Sequence, residues 1–422
     1  MKNNLLDNCY DFSSLDWRML EKIRGRNRSP AIVVGLARFA YFFFKSLKIT
    51  MTHGWWRVMQ SSRGRVIFMI GTKNNESSLL PVANRLKMSS YNVIGYHTYR
   101  GKCSRLPDIF FYIIGICLIH RFVFTYIFQA NSYQRWAMRV RFDQYIVGCG
   151  GEIFWWIYLK LCEPSALVVS NDHNVWTRTA IKAAKKVGVP TVFVPHAPTG
   201  NCPPPLIFDY AFFDGPAQSS MYKISTNTVI LNVGAVRYES LIARNVGGGK
   251  EYSGIVIAFN KMDSIGFIER VMKKISSAGF GSVYVRPHPG DLTRFKQIEK
   301  LCFQYGLAYS NPSINFVDEV YLAKYVFAGV SGVHTDALMC GMTPLSTREW
   351  YSEDYYGYEK DGLIGLFDNL DMVTFAACES IEIDGARLRD LNSHLSAPEK
   401  VPSRVVAEFI NELLLLRGHA DA

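Results

Sequence analysis

The 422-residue sequence is informative first in what it lacks. It contains no GxxxxGK[ST] phosphate loop, no HExxH, no GxSxG and no DxD. These absences exclude a Walker-type nucleotide hydrolase, a zinc metalloprotease and a nucleophile-elbow hydrolase, and nothing demands a divalent ion. The nine cysteines (positions 9, 103, 117, 149, 162, 202, 302, 340 and 378) never fall into CxxC spacing. They read as reduced, mostly buried thiols of a cytosolic protein, which argues against a disulfide framework or a zinc site. Repeats and low-complexity tracts are missing as well. Met1–Arg28 has no apolar core of the kind a signal peptide needs, so none is expected there.

Acid is also scarce in one region. Residues 1–141 hold 22 Lys and Arg against 6 Asp and Glu, whereas the remainder holds 25 against 30, so the net charge of +11 belongs to the N-terminal third. A basic region can mean nucleic acid, but no RNA-binding signature accompanies it, and none is expected as a partner. Here the charges are interleaved with long apolar runs. Ala31–Leu47 places Arg38 and Lys45 inside an otherwise apolar helix, and Ile109–Phe128 is broken only by His120-Arg121. The second run has the ~20-residue length of a membrane span. A charged pair at its centre would be costly in hydrocarbon. A single crossing there would also separate Arg65–Ile70 from Leu167–Ser170, which are expected in one sheet. The expectation is peripheral contact with an anionic membrane face at the cytoplasmic side, with buried core helices as the alternative.

What is present is a pattern of strands alternating with helices. Arg65–Ile70, Tyr91–Tyr96, Ala166–Ser170, Thr191–Val194, Tyr210–Phe213 and Thr228–Gly234 form a first strand series, and a second begins at Gly254–Phe259. The pattern predicts an α/β protein with two doubly wound, Rossmann-like domains facing a cleft. The expected division is a basic helical lead-in (1–60), an acceptor domain (61–246), a donor domain (247–400) and a C-terminal helix (401–422) packing back on the acceptor domain. The glycine-rich 247–252 segment is the expected linker.

Candidate site residues sit where strands open into helices, the usual ligand crevice of such sheets. Arg286-Pro287-His288-Pro289 follows a strand, and its prolines fix the backbone around one imidazole. His288 with Arg286 can bind a phosphate and stabilise a leaving nucleotide. Ser331 and Thr335 flank a helix start, where Gly329 and Gly332 allow close backbone approach and free N–H groups favour an anion. Asp336 either accepts hydrogen bonds from ribose hydroxyls or is an ordinary first-turn acid, and His334 is expected behind the site. In the first domain Asp172 is the first choice for a general base, with helix capping as the alternative. His196 is second choice, an acceptor-site residue or a satisfied core histidine. Arg237 is expected to reach the nucleotide near the hinge, and Lys73 and Glu76 on the first strand-to-helix loop are candidate acceptor contacts.

The Arg-Pro-His-Pro turn and the Ser331…Thr335-Asp336-Ala337-Leu338 helix start, with Cys340-Gly341-Met342-Thr343-Pro344 behind it, resemble GT-B glycosyltransferases. The likeness is greatest to bacterial surface-polysaccharide transferases with an HP motif, the polysialyltransferase, lipooligosaccharide sialyltransferase and capsule Kdo transferase group. CDP-glycerol glycerophosphotransferases of teichoic acid synthesis share the pattern. The resemblance implies that His288, Ser331 and Thr335 hold the donor phosphate. Asn171-Asp172-His173 occupies the place of an acidic-Gly base motif but lacks its second acid and its Gly. Val194-Pro195-His196-Ala197 resembles a Gln-His-Gly turn with only the His retained. The activity implied is an inverting, metal-independent transfer of a nonulosonate or Kdo from a CMP-activated donor to a surface glycan, without a cofactor. The rivals are a UDP- or GDP-sugar transferase, a CDP-glycerol phosphotransferase, a sugar-nucleotide 2-epimerase and a non-catalytic membrane scaffold.

Overall fold

The computed structural model describes residues 5–14 and 30–416, except 54, 97–98, 100, 102, 202, 224–226, 241–253, 292, 315 and 317–322. The expected linker at 247–252 lies outside the described residues. The chain forms two compact units: residues 1–196, 203–237 and 397–422 in one, and residues 197–202 and 238–396 in the other.

Unit 1 is built on a seven-stranded parallel sheet. Its strands are β1 (Val66–Ile70), β2 (Tyr91–Gly95), β3 (Ser104–Arg105), β4 (Ala166–Val169), β5 (Thr191–Phe193), β6 (Tyr210–Phe213) and β7 (Val229–Asn232), in the order β3-β2-β1-β4-β5-β6-β7. All five residues of β1 are buried, as an unbroken apolar strand must be when helices cover both faces of a parallel sheet. The two-residue alternation of strand side chains sorts the core into two layers. Ile67, Met69, Leu167, Val169, Phe193 and Phe213 pack with residues of the helices Ile109–Cys117, Phe142–Cys162 and Val175–Val187. Val66, Phe68, Ile70, Ala166, Val168 and Phe212 pack on the opposite side with Leu79 and Val82 and with Val406, Ala407, Ile410 and Leu414 of the C-terminal helix Pro402–Leu416.

The start of the chain is part of this core, not a lead-in to it. Leu5, in the short helix Leu5–Asn8, and Cys9, in the turn after it, are buried in the larger cluster. Asn8 Nδ2 donates to the Gly148 carbonyl (3.1 Å), and the buried Arg178 donates to the Asp7 carbonyl (2.7 Å) and its carboxylate (2.5 Å). The long apolar run bends by 63° between Ile109–Cys117 and Ile119–Phe128. Arg121 at that bend donates to the Cys149 carbonyl (3.1 Å), which gives the mid-run charge a polar partner. Among the described residues no single helix is long and apolar enough to cross a membrane, although this bent pair would by length and composition. Since β1 pairs directly with β4, a single crossing between them is not compatible with the sheet.

Unit 2 carries a six-stranded parallel sheet: β8 (Gly254–Ala258), β9 (Ser282–Arg286), β10 (Ala308–Tyr309), β11 (Ala323–Ala328), β12 (Thr343–Thr347) and β13 (Gly365–Phe367). The order is β10-β9-β8-β11-β12-β13. In both sheets the strand order reverses beside the first strand, so each unit has a switch point of the kind where ligands collect at strand C-termini.

Candidate functional site

In unit 1 the residues of interest lie on loops leaving β4 and β5, which are neighbours in the sheet. After β4 the chain runs Ser170-Asn171-Asp172-His173-Asn174 into the helix Val175–Val187. Asn174 caps that helix, its side chain accepting from the Thr177 N–H (2.9 Å), while Asn171 Oδ1 accepts from the backbone of His173 and Asn174. Capping is therefore done by the two asparagines, and the capping alternative for Asp172 falls away. Its carboxylate is nonetheless occupied. Oδ1 takes the His173 Nδ1 (2.7 Å) and Oδ2 takes the Tyr222 hydroxyl (2.6 Å), and the residue is only 7% exposed. Burial alone would raise Asp172, but the hydrogen bonds and charge of His173, with that of Tyr222, hold it below the usual carboxylate range. A carboxylate with both oxygens engaged and a depressed proton affinity is a weak base. This corrects its ranking as first choice.

His173 lies between two carboxylates. Beyond Asp172 its Nε2 is 3.5 Å from Asp11, on the short helix Tyr10–Ser14. Burial pulls the imidazole down, but Asp11 and Asp172 outweigh it and raise His173 to about 9, so it is a fixed cation near neutral pH. The His196 ring lies 6.4 Å from it. His196 Nδ1 meets the Ser170 carbonyl, an acceptor only, so Nδ1 carries the proton and Nε2 keeps its lone pair. Burial and the neighbouring His173 cation depress His196 to about 4, leaving it neutral. A half-buried neutral imidazole with an unprotonated Nε2 is the better proton acceptor of the two.

Arg237 was expected near a nucleotide. Instead its guanidinium pairs with both oxygens of Asp214 (3.0 Å for the Oδ1 contact) and reaches the Pro195 carbonyl (3.4 Å). Its evident task is to brace the turn that presents His196, and the expectation of a nucleotide contact through this group is corrected. Lys73 is exposed and Glu76 half-buried on the first turn of the helix Lys73–Ala83, beyond the C-terminal end of β1 and hence on the same sheet edge as Asp172. That helix starts with a capping box between Thr72 and Asn75.

Unit 2 gathers its candidates at the ends of three adjacent strands. Arg286 pairs in register with Ala258, and Ala258 with Ala328, so β9, β8 and β11 end level. Neighbouring strands lie ~4.8 Å apart. His288, Lys261 and Ser331 follow these ends by two or three residues each. His288 is exposed, and its Nδ1 accepts the Gly290 N–H (3.0 Å), which leaves an Nε2–H as the outward donor. Partial burial of the ring and the nearby Lys261 ammonium hold its proton affinity below the ordinary value. Lys261 lies close to this turn: a Cβ on Gly290 would sit 2.2 Å from its Nζ. The two loops are tied together by Arg294. It donates to Asp291 Oδ2 (2.7 Å) and to the backbone carbonyls of Asp263, Asn260 (3.4 Å) and Lys261 (3.1 Å). Lys261 and Arg294 had not been singled out in the sequence, although Lys261 stands just past a strand end.

The remaining unit 2 expectations divide. Ser331 and Gly332 are half-exposed, and Ser331 Oγ accepts the Val333 N–H (3.3 Å) at the start of the helix Val333–Met339. Thr335 is 3% exposed and its hydroxyl is paired with that of Tyr358 (2.5 Å), so it faces the interior and the expected phosphate contact is corrected. Asp336 Oδ1 accepts from the Tyr238 hydroxyl, so one of the two oxygens of the carboxylate expected at ribose is engaged. His334 is fully buried against the Gly329 carbonyl (2.9 Å). Arg286 is 6% exposed and donates to Ser310 Oγ (2.9 Å) and to the carbonyls of Asn311 (3.3 Å) and Ile314 (2.6 Å). The guanidinium therefore holds the loop after β10, and its expected role as a phosphate ligand is corrected. Arg286→Ala should remove the three hydrogen bonds that hold this loop, one of them at the buried Ser310, and cost about 2–4 kcal/mol in a urea melt. A change within about 0.5 kcal/mol would show that the loop does not depend on it.

No protein-family model and no curated protein matches the sequence. Solved structures do. A UDP-GlcNAc 2-epimerase from Neisseria meningitidis, bound to UDP-GlcNAc, is 13% identical, with 83% of this chain and 99% of that one covered at a TM-score of 0.50. The UDP-GlcNAc 2-epimerase of Methanocaldococcus jannaschii is also 13% identical, over 82% of this chain and 99% of that one, at a TM-score of 0.49. The wall teichoic acid polymerase TagF is 11% identical over 89% of this chain and 98% of its own, at 0.46. With the two parallel sheets and the largely helical N-terminal region, the first of these likenesses identifies the architecture: the chain has the two-domain α/β fold of the GT-B type.

Proposed function

We propose that this chain is an inverting, metal-independent glycosyltransferase that moves a nonulosonate or Kdo from a CMP-activated donor onto a bacterial surface glycan (capsule, lipopolysaccharide or O-antigen). The observation that carries the reading is the pairing of His288 and Lys261 on the loops after β9 and β8, tied together by Arg294. A cation and a directed N–H donor at strand C-termini suit a phosphate that gains charge as its bond to the sugar breaks. In unit 1, His196 Nε2 would take the proton of the acceptor hydroxyl. The freed oxygen would bond to the anomeric carbon as the sugar–phosphate bond breaks, its electron pair leaving on CMP; in unit 2, Lys261 and His288 would hold a phosphate. The Lys261 charge and the His288 N–H would do the work a bound metal would otherwise do. The preference for cytidine rests on the resemblance of the Arg286–Pro289 and Ser331–Leu338 sequences. A CDP-glycerol phosphotransfer would use the same base and the same phosphate-holding pair.

A UDP-sugar 2-epimerase is the second reading, favoured by the fold likeness to the Neisseria enzyme. The two are separated by thermal unfolding with CMP, CDP, UDP and GDP. A ligand at a hundredfold its Kd adds about 2.7 kcal/mol to stability, a rise in midpoint of several degrees. Stabilisation by the cytidine nucleotides is the expected result. Selective stabilisation by UDP would replace the proposal with the epimerase or a UDP-sugar transferase. Response to none would leave a non-catalytic scaffold.

A further inference from the structure

Three helices of unit 1 bury one face and leave the other apolar. Ala31–His53 turns Phe39, Phe42 and Phe43 into the core, with Phe39 against Tyr112 (5.8 Å) and Phe142 (5.5 Å), yet Ile32, Val33, Leu36, Tyr41, Phe44 and Met51 face solvent. At about 100° per residue those outward positions fall within one half of the helix circumference, so they form a second stripe on the same helix. The bent pair Ile109–Phe128 repeats the arrangement with Ile116, Val123, Phe124, Ile127 and Phe128 outward, and Phe142–Cys162 does so with Trp156, Ile157 and Leu161. Phe44 is 66%, Phe128 71% and Leu161 57% exposed. These helices pack on one another. Arg38 of the first pairs with the buried Asp143 of the third (3.2 Å), and Gly115 of the second meets the Ile146 backbone so closely that a Cβ would lie 2.1 Å from its carbonyl oxygen. Isolated exposed apolar residues are ordinary, but adjoining stripes on packed helices mark an interaction face.

We infer that this three-helix face docks on an anionic lipid bilayer, lying in the headgroup layer without spanning it. The charges choose the occupant. Ala31–His53 contains Arg38, Lys45 and Lys48 and no acid, and Ile109–Phe128 contains Arg121 and no acid. The two acids of Phe142–Cys162 are both buried and paired, Asp143 with Arg38 and Glu152 with Lys186. The cations run along the aromatics: Lys160 lies 4.6 Å over the exposed Trp156 ring, and Lys45 lies 5.8 Å from Tyr41. Basic heads reaching past aromatic and aliphatic side chains are the arrangement that suits an interface with negative headgroups. A second copy would bring the same positive charge to the same face, which disfavours self-association through it. The docking serves the proposed transfer by placing the enzyme beside a lipid-linked acceptor, and in that respect rests on it. Binding to vesicles needs neither donor nor acceptor, so the two ideas can fail separately.

The test is co-sedimentation of the full chain with phosphatidylcholine vesicles, with and without about one-third phosphatidylglycerol, together with nucleotide-induced thermal shifts on the same samples. Strong partitioning onto the anionic vesicles, weakened by salt, is expected, with at least about tenfold less onto neutral ones. Phe44→Glu/Ile127→Glu changes two outward side chains and should lower partitioning by about tenfold or more while keeping the melting temperature and the nucleotide response. Equal binding to both vesicle types, binding to neither, or a variant that binds as the parent does would overturn the proposal. So would a concentration-dependent dimer that the double variant dissolves.

Discussion

Replacing His196 with Asn should lower kcat by about a hundred- to ten-thousandfold while leaving donor-nucleotide affinity unchanged, because only the proton acceptor is removed. The geometry behind this expectation is specific: Nδ1 is fixed on the Ser170 carbonyl and Nε2 is the free lone pair. Asn retains a group that can meet Ser170 but has no basic nitrogen. The measurement is steady-state transfer with a glycan acceptor alongside nucleotide binding, and near-parental turnover would remove His196 as base. The pH profile adds an independent reading. Burial and the His173 cation depress His196 to about 4, so the acid limb of kcat/KM should lie below pH 5. In His173→Gln the cation is gone and that limb should move upward toward the ordinary histidine value of ~6.5. The sign for stability runs oppositely for the two rings. His173, raised to about 9, contributes stability that is complete below ~6.5 and is lost as pH rises through about 9. His196, depressed, contributes stability present above ~6.5 and lost as pH falls toward about 4.

His288→Ala is expected to reduce kcat by about a hundred- to a thousandfold, the usual effect of deleting one directed donor to a developing anion. The loss should fall mainly on kcat, since Lys261 still attracts the ground-state diphosphate or monophosphate by charge alone. The comparison with Lys261→Ala separates directed hydrogen bonding from simple attraction. That variant should weaken nucleotide binding, and more so at low salt, where exposed charge acts over longer range. Because His288 is exposed and its ring supports only the Gly290 N–H, the substitution should leave the unfolding midpoint close to that of the parent. Equal loss of binding and turnover would assign His288 to ground-state binding, and no loss of either would dismiss it.

Much of the frame was legible in the chain. Continuous apolar stretches such as Val66–Ile70 and Ala166–Val169 announce strands covered on both faces, and the helices between them demand parallel pairing. The Pro-His-Pro turn after β9 marks a strand end where the backbone is fixed, and His288 stands there with its outer nitrogen free. What local pattern could not convey is which polar groups are already spent. Arg286 lies two residues before His288, yet its side chain is spent on the loop after β10. Thr335 lies one helical turn past Ser331, but the helix turns it inward to Tyr358. Asp172 looked available until Tyr222, fifty positions on, and His173 took its two oxygens.

By itself the sequence determined the element order, the two parallel sheets and the strand-end positions of His196, His288 and Ser331, because periodicity and turn chemistry are local properties. Only the tertiary structure decided the rest. It brought Asp11, near the N-terminus, to within 3.5 Å of His173, set Lys261 over the Gly290 turn, and left three apolar helix faces uncovered. Hydrogen-bond partners, proton affinities and exposure depend on contacts between residues far apart in the chain, and no local pattern encodes those.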